Sequence, residues 1–125
     1  MTSHVHMIIG TNDKNLNEIV GGMKSYTSTQ LKKIIKDHPQ ESRKEWMILM
    51  MERAGKKNSN NCEWQFWQQH SKPLEIKDQE MFDTTLKYIH DNPVIAGFVN
   101  RAEDWKYSSA ADFWGLKGLI KLSFT

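Results

Sequence analysis

The sequence has few of the features that mark specialised classes of protein. Its 125 residues include a single cysteine, Cys62, in a polar loop, so neither a disulfide framework nor a cysteine-based zinc site is predicted. No hydrophobic run approaches the roughly 18 residues of a membrane span. The N-terminus is polar and has no basic region before a hydrophobic run, so no signal peptide is predicted. We expect a single cytoplasmic domain with no membrane partner.

The chain also lacks a strong excess of one charge. Its 17 Lys+Arg residues stand against 15 Asp+Glu residues, a formal net charge of +2, and this balance forces no nucleic-acid partner through bulk electrostatics. Lysines are nevertheless concentrated in the first predicted helix, at Lys24, Lys32, Lys33 and Lys36. A basic surface there could hold phosphate groups, or the lysines could form a solvated helix face.

What the chain does contain is a histidine pair close to its N-terminus. Residues 3–9 read Ser-His-Val-His-Met-Ile-Ile and predict a short buried strand, on which His4 and His6 point to the same face. Two imidazoles side by side form half of a divalent-metal site. Taken alone, the pattern is more typical of a pair of surface histidines or a leftover tag.

Hydrophobic residues at helical spacing predict helices in the first half of the chain. The first helix is predicted to begin at Asn15 and to end at Pro39, and the second to begin at the capping box 42–45 and to stop at Gly55. The aromatic residues of segment 64–70 predict a strand. Residues 116–124 could add a further short strand.

A third helix carries a tyrosine and an asparagine four residues apart. It is predicted to begin near Asp78 and to end near Asp91, because the residue before Pro93 disfavours the α conformation. Tyr88 and Asn92 then lie on the same side of the helix, so a phenol and an amide oxygen face one direction. These residues alone are more typical of a half-buried tyrosine followed by a helix stop.

Three segments, in this order, resemble single-tyrosine DNA transposases. Residues 4–9 resemble the HUH strand (His, hydrophobic, His) of that family. Residues 88–99, Tyr-Ile-His-Asp-Asn-Pro-Val-Ile-Ala-Gly-Phe-Val, resemble the catalytic-helix segment of its REP-associated branch, and residues 103–110 resemble the segment that follows. The spacing of four from tyrosine to asparagine also matches the family, which includes the insertion-sequence-200-like transposases.

The resemblance implies an α+β, ferredoxin-like fold, with a small antiparallel sheet and helices on one face. The 3–9 strand is expected to pair antiparallel with the 64–70 strand. Relatives carry a strand–helix–strand portion before the HUH strand. We therefore expect residues 1–125 to form a single transposase-like domain that is truncated at its N-terminus.

The resemblance also implies a site and a reaction. His4, His6 and Asn92 would be ligands of Mg²⁺ or Mn²⁺, and Tyr88 would be the nucleophile that forms a 5′-phosphotyrosine intermediate. The partner would be single-stranded DNA, often beside a hairpin, and the family includes both monomers and homodimers. Tyr26 does not match the nucleophile's place and is interpreted as packing or contacting DNA.

Two classes of function remain open at the level of sequence. One is a metal-dependent DNA strand transferase, and the other is a catalytically inactive DNA-binding remnant of such an enzyme. A replication initiator or relaxase with the same HUH chemistry fits less well. Three tryptophans, Trp64, Trp67 and Trp105, could stack on bases, although core packing is expected for at least two of them.

Overall fold

The computed structural model describes residues 1–58, 63–69 and 71–123, and its regular structure there is helical. Four α-helices follow one another along the chain, α1 (Leu16–Asp37), α2 (Lys44–Lys56), α3 (Gln79–Ile95) and α4 (Ala110–Phe113). A 3₁₀-helix spans Ala102–Asp104. The chain forms two compact units, which we call the α1–α2 unit (Gly10–Pro73) and the α3–α4 unit (Met1–Ile9 with Leu74–Thr125).

The predicted α+β, ferredoxin-like fold is wrong, because the described residues contain no strand and no sheet. Neither the predicted 3–9 strand nor the described part of the 64–70 strand is present, and His70 lies outside the described residues. The same holds for the predicted strand at 116–124, of which residues 116–123 are described. Strand propensity is realised only where a second strand supplies a hydrogen-bonding ladder. These segments have no such partner among the described residues.

In the α1–α2 unit, the aromatic segment that was predicted to form a strand packs on helices instead. The indole nitrogen Nε1 of Trp67 donates a hydrogen bond to Thr27 Oγ1 at 2.9 Å. The Lys32 ammonium lies 4.8 Å from the centre of the Trp64 ring, in a cation–π contact. Trp64 and Trp67 therefore contact α1, and both are half-buried rather than fully buried.

Helix α1 has the ends that its sequence predicts. The Asn15 side chain accepts a hydrogen bond from the Asn17 amide at 2.9 Å, as an N-cap does. The helix ends at Asp37, just before Pro39. Asn15 and Pro39 thus fix the two ends through local chemistry that does not depend on the rest of the fold.

Helix α2 differs from its prediction at both ends. Its N-cap is Arg43, which makes no side-chain capping bond, rather than Ser42. Gly55 does not stop the helix, which continues to Lys56. Gly55 is buried, and a Cβ there would lie 2.4 Å from the backbone nitrogen of Trp64. The glycine is needed for the close approach of this backbone.

Helix α3 begins as predicted but runs further than predicted. The Asp78 carboxylate accepts a hydrogen bond from the Met81 amide at 2.8 Å, which caps the helix. The predicted end near Asp91 is wrong, because the helix continues through a buried Pro93 to Ile95.

A glycine, not the proline, ends α3. Gly97 has a φ of 73°, which favours glycine because it lacks a Cβ. The Gly97 amide donates to Val94 O and the Phe98 amide donates to Pro93 O, both at 2.9 Å. This pair of bonds is a Schellman motif, which satisfies the last carbonyl groups of the helix.

The residues after α3 fold back onto its C-terminal half. The Trp105 ring stacks on Phe98, with ring centres 5.7 Å apart and planes inclined by 27°. Ala110, at the start of α4, is completely buried. The best-packed part of the α3–α4 unit therefore lies around the C-terminal half of α3.

Candidate functional site

Two histidines and a tyrosine meet in one cluster within the α3–α4 unit. The ring centres of His4 and His6 lie 4.8 Å apart, edge to face. The His6 ring in turn lies 5.5 Å from the Tyr88 ring, with an interplanar angle of 76°. The histidines come from the extended N-terminal segment and the tyrosine from α3. Three of the four site residues singled out in the sequence are thus close to one another.

The fourth residue, Asn92, lies one turn after Tyr88 on the same side of α3. Its Nδ2 atom is shielded from solvent, and no hydrogen-bond partner for it is found among the described residues. A buried amide without a partner is destabilising by about 1–3 kcal/mol. Rotation of the amide plane exchanges Nδ2 and Oδ1, so the same buried position can present an oxygen ligand.

The electrostatics of His6 suit a neutral imidazole. Burial lowers the pKa of His6 from its ordinary value, and the nearby His4 and the N-terminal amine lower it further. A neutral ring keeps a nitrogen lone pair available, which a metal ligand requires. The neighbouring His4 has its Nδ1 atom 3.2 Å from Ser3 Oγ.

The ligand set predicted from the sequence combines two imidazoles with one amide and contains no carboxylate. The described residues contain no group of three or more His, Cys, Asp or Glu side chains placed to hold a metal. Two imidazoles and the Asn92 amide would be the ligands available, and His4, His6 and Asn92 would leave further positions for phosphate oxygens. Mg²⁺ and Mn²⁺ accept such oxygen ligands readily.

The tyrosine of the cluster is accessible, and its side chain is 54% exposed. Such exposure allows the phenol oxygen to reach a macromolecular substrate that could not enter a closed pocket. Tyr26 lies in the other unit, on α1, and is 68% exposed. The packing role considered for Tyr26 is therefore not supported, and contact with DNA stays a prediction.

The lysines of α1 divide into two pairs with different environments. Lys24 Nζ donates a hydrogen bond to Ser71 Oγ at 2.6 Å, and Lys32 covers a tryptophan ring of the adjoining segment. Both help to hold that segment on the helix. Lys33 and Lys36 are exposed. Among the described residues, Lys33 and Lys36 are therefore the two lysines of this group without a contact to the adjoining segment, and phosphate binding stays a prediction.

Sequence reasoning missed one polar contact on the side of α3 that faces away from Tyr88. His90 Nε2 lies 2.9 Å from Ser109 Oγ, and the His90 ring packs 5.3 Å from the Phe113 ring. Burial lowers the pKa of His90, against a smaller opposing effect of Asp91. Helical spacing could have indicated a separate role for His90, because residue 90 lies about 200° around the helix from Tyr88 and therefore on the opposite side.

Comparisons with protein-family models, with curated proteins and with solved structures gave no match to this chain. Within the part of the chain that the structure describes, no helix combines the length and the apolar composition needed to cross a membrane. The cluster of His4, His6 and Tyr88 is the structural observation that bears on function, and the family resemblance of the sequence stays a prediction.

Proposed function

We propose that this chain is a metal-dependent strand transferase for single-stranded DNA, of the single-tyrosine HUH type, acting in the cytoplasm. Tyr88 would be the nucleophile, and His4, His6 and Asn92 would hold Mg²⁺ or Mn²⁺. The observation that carries the proposal is the 5.5 Å contact between the rings of His6 and Tyr88. It joins the two sequence motifs that the reaction needs.

The proposed reaction balances with these groups alone and water. The Tyr88 phenol oxygen attacks phosphorus in line, forms the O–P bond of a 5′-phosphotyrosine and gives up its proton to solvent. The P–O3′ bond breaks, and the released O3′ takes a proton to become a free 3′-OH. A divalent metal, held by His4, His6 and Asn92, would stabilise the charge that develops on the phosphate oxygens. The phosphotyrosine conserves the phosphodiester bond energy, so religation needs no ATP.

A labelled oligonucleotide tests this proposal directly. The protein is mixed with single-stranded hairpin DNA and Mn²⁺ or Mg²⁺, and the products are separated on a denaturing gel. A 3′-labelled substrate should give a labelled protein adduct, because the tyrosine remains on the 5′ phosphate. A 5′-labelled substrate should give only a shorter free fragment that ends in a 3′-OH.

Two tyrosines allow a matched comparison in the same assay. Tyr88→Phe removes one oxygen, leaves the ring contact with His6 and should abolish the adduct while DNA binding persists. Tyr26→Phe removes the same atom from an exposed site elsewhere and should leave the adduct intact. An adduct that persists in Tyr88→Phe and disappears in Tyr26→Phe would contradict the assignment.

One observation favours a second candidate, a DNA-binding remnant without catalysis. The histidine segment forms no strand among the described residues, so His4 and His6 lack the rigid support that a sheet gives to metal ligands. This candidate predicts that the chain retards single-stranded DNA on a native gel but forms no covalent adduct with any divalent metal. The same set of reactions therefore separates the two functions.

A further inference from the structure

We propose that His90 and Ser109 are positioning residues that set the rotation of α3 about its axis and thereby hold Tyr88 against the histidine pair. The inference rests on the proposed role of Tyr88 as nucleophile. The structural element is the 2.9 Å hydrogen bond between His90 Nε2 and Ser109 Oγ. Neither residue touches the cluster itself, so any effect on the reaction must pass through the helix.

The two sides of α3 near Tyr88 make different contacts, one to the histidine pair and the other to residues that follow the helix. Tyr88 projects toward His6 on one side. His90 lies about 200° around the helix, where it bonds to Ser109 and packs on Phe113. The turn of α3 that carries Tyr88 is thus held by the contacts of His90 on the opposite side of the helix.

A hydrogen bond constrains rotation in a way that apolar contacts do not. Pro93 and Ala110 are buried, but burial of apolar groups is non-directional. The bond from His90 to Ser109 is directional and part-buried. It therefore selects one rotation of the helix among those that the apolar packing allows.

Small rotations of α3 would matter for the chemistry. A rotation of about 20° displaces a group about 6 Å from the helix axis by about 2 Å. Misplacement of a reacting atom by about 1 Å can lower a rate by about a hundredfold. Loss of the His90–Ser109 bond should therefore slow attack by Tyr88 much more than it weakens DNA binding.

The kinetic test compares two substitutions at one position. Ser109→Ala removes the hydroxyl and should lower the single-turnover rate of adduct formation by about ten- to a hundredfold, with an unchanged Kd for single-stranded DNA. Ser109→Thr keeps the hydroxyl and should restore the rate. Ser25→Ala, at an exposed serine of α1, is the control and should have no effect. Equal rates for Ser109→Ala and wild type would overturn the proposal.

A second measurement needs no catalysis and so separates this inference from the proposed function. 3-Fluorotyrosine placed at position 88 reports its surroundings through its ¹⁹F resonance. Ser109→Ala should shift this resonance toward that of a variant lacking the His6 ring, His6→Ala, whereas Ser109→Thr and His90→Gln, which keep a bonding group, should shift it less. An unchanged resonance in Ser109→Ala would refute the positioning role, whether or not the wild-type chain forms adducts. A wild type without adducts but with the expected shifts would refute only the proposed function.

Discussion

Two regions of the α3–α4 unit differ sharply in how they are held. The C-terminal half of α3 ends in a Schellman motif at Gly97 and is bonded through His90 to Ser109, the residue before a fully buried Ala110. Residues 1–9 belong to no helix or strand, and Val5 and Met7 within them are 58% and 49% exposed. Tyr88, the proposed nucleophile, lies in the first region, and His4 and His6, two of the proposed metal ligands, lie in the second.

The difference indicates where the site gains its precision. Tyr88 is placed by a capped helix and by packing on the side opposite the site, so its position is set before any ligand arrives. The histidine segment makes ring contacts but has no strand partner among the described residues. On this account a metal bound by His4 and His6 would order the segment as well as take part in the chemistry.

The largest expected effect comes from filling the packed region. Ala110→Leu places extra methyl and methylene groups where the side chain is completely buried, and it should lower the free energy of unfolding by about 1–3 kcal/mol. Urea unfolding followed by circular dichroism measures the change. Met7→Ala, in the exposed segment, should change it by less than about 0.5 kcal/mol. Comparable losses for both variants would remove the contrast between the regions.

A smaller effect is expected at the end of α3. Gly97→Ala forces an alanine to adopt a φ of 73° and should lower stability by about 1 kcal/mol. Gly10→Ala is the matched control, because a Cβ there would meet nothing within 4 Å and no positive φ is required. Thermal unfolding of the two variants should show a lower Tm for Gly97→Ala alone. Equal Tm values would show that the Schellman motif does not set the helix end.

The smallest expected effect is a pH dependence that originates at His90. Burial lowers the pKa of this side chain in the folded state, so below the ordinary histidine value the unfolded state takes up the proton more readily. The contribution of His90 to the free energy of unfolding is therefore fully present above the ordinary histidine pKa. It decreases as the pH falls from that value toward the lower pKa of the folded state. Unfolding in EDTA between neutral and mildly acidic pH should show a shallower decline for His90→Gln than for wild type. Identical declines would contradict this role of burial.

Local chemistry could be predicted from the sequence, whereas pairing between distant segments could not. Asn15 and Asp78 were placed correctly at helix N-termini because a capping side chain acts on amides two or three residues away. The end of α3 was predicted wrongly from Pro93. The decisive group was Gly97, whose left-handed backbone closes the helix in a later turn.

The predicted strands failed for a different reason. Alternation and β-propensity describe what residues 3–9 and 64–70 would do beside a partner, and they do not supply one. The aromatic residues of the second segment found helices to pack on instead. The pairing of Tyr88 with Asn92 followed from helical spacing, but the approach of His6 to Tyr88 was implied only by the family resemblance.

Paramagnetic broadening by Mn²⁺ tests most directly whether His4, His6 and Tyr88 form one metal-dependent site. Substoichiometric Mn²⁺ is added to the protein while the ring resonances of its histidines and tyrosines are recorded by NMR. We predict that His4, His6 and Tyr88 broaden first and that His6→Ala removes the preference. Broadening that spares Tyr88 while affecting His4 and His6, or that reaches all histidines equally, would contradict a shared site.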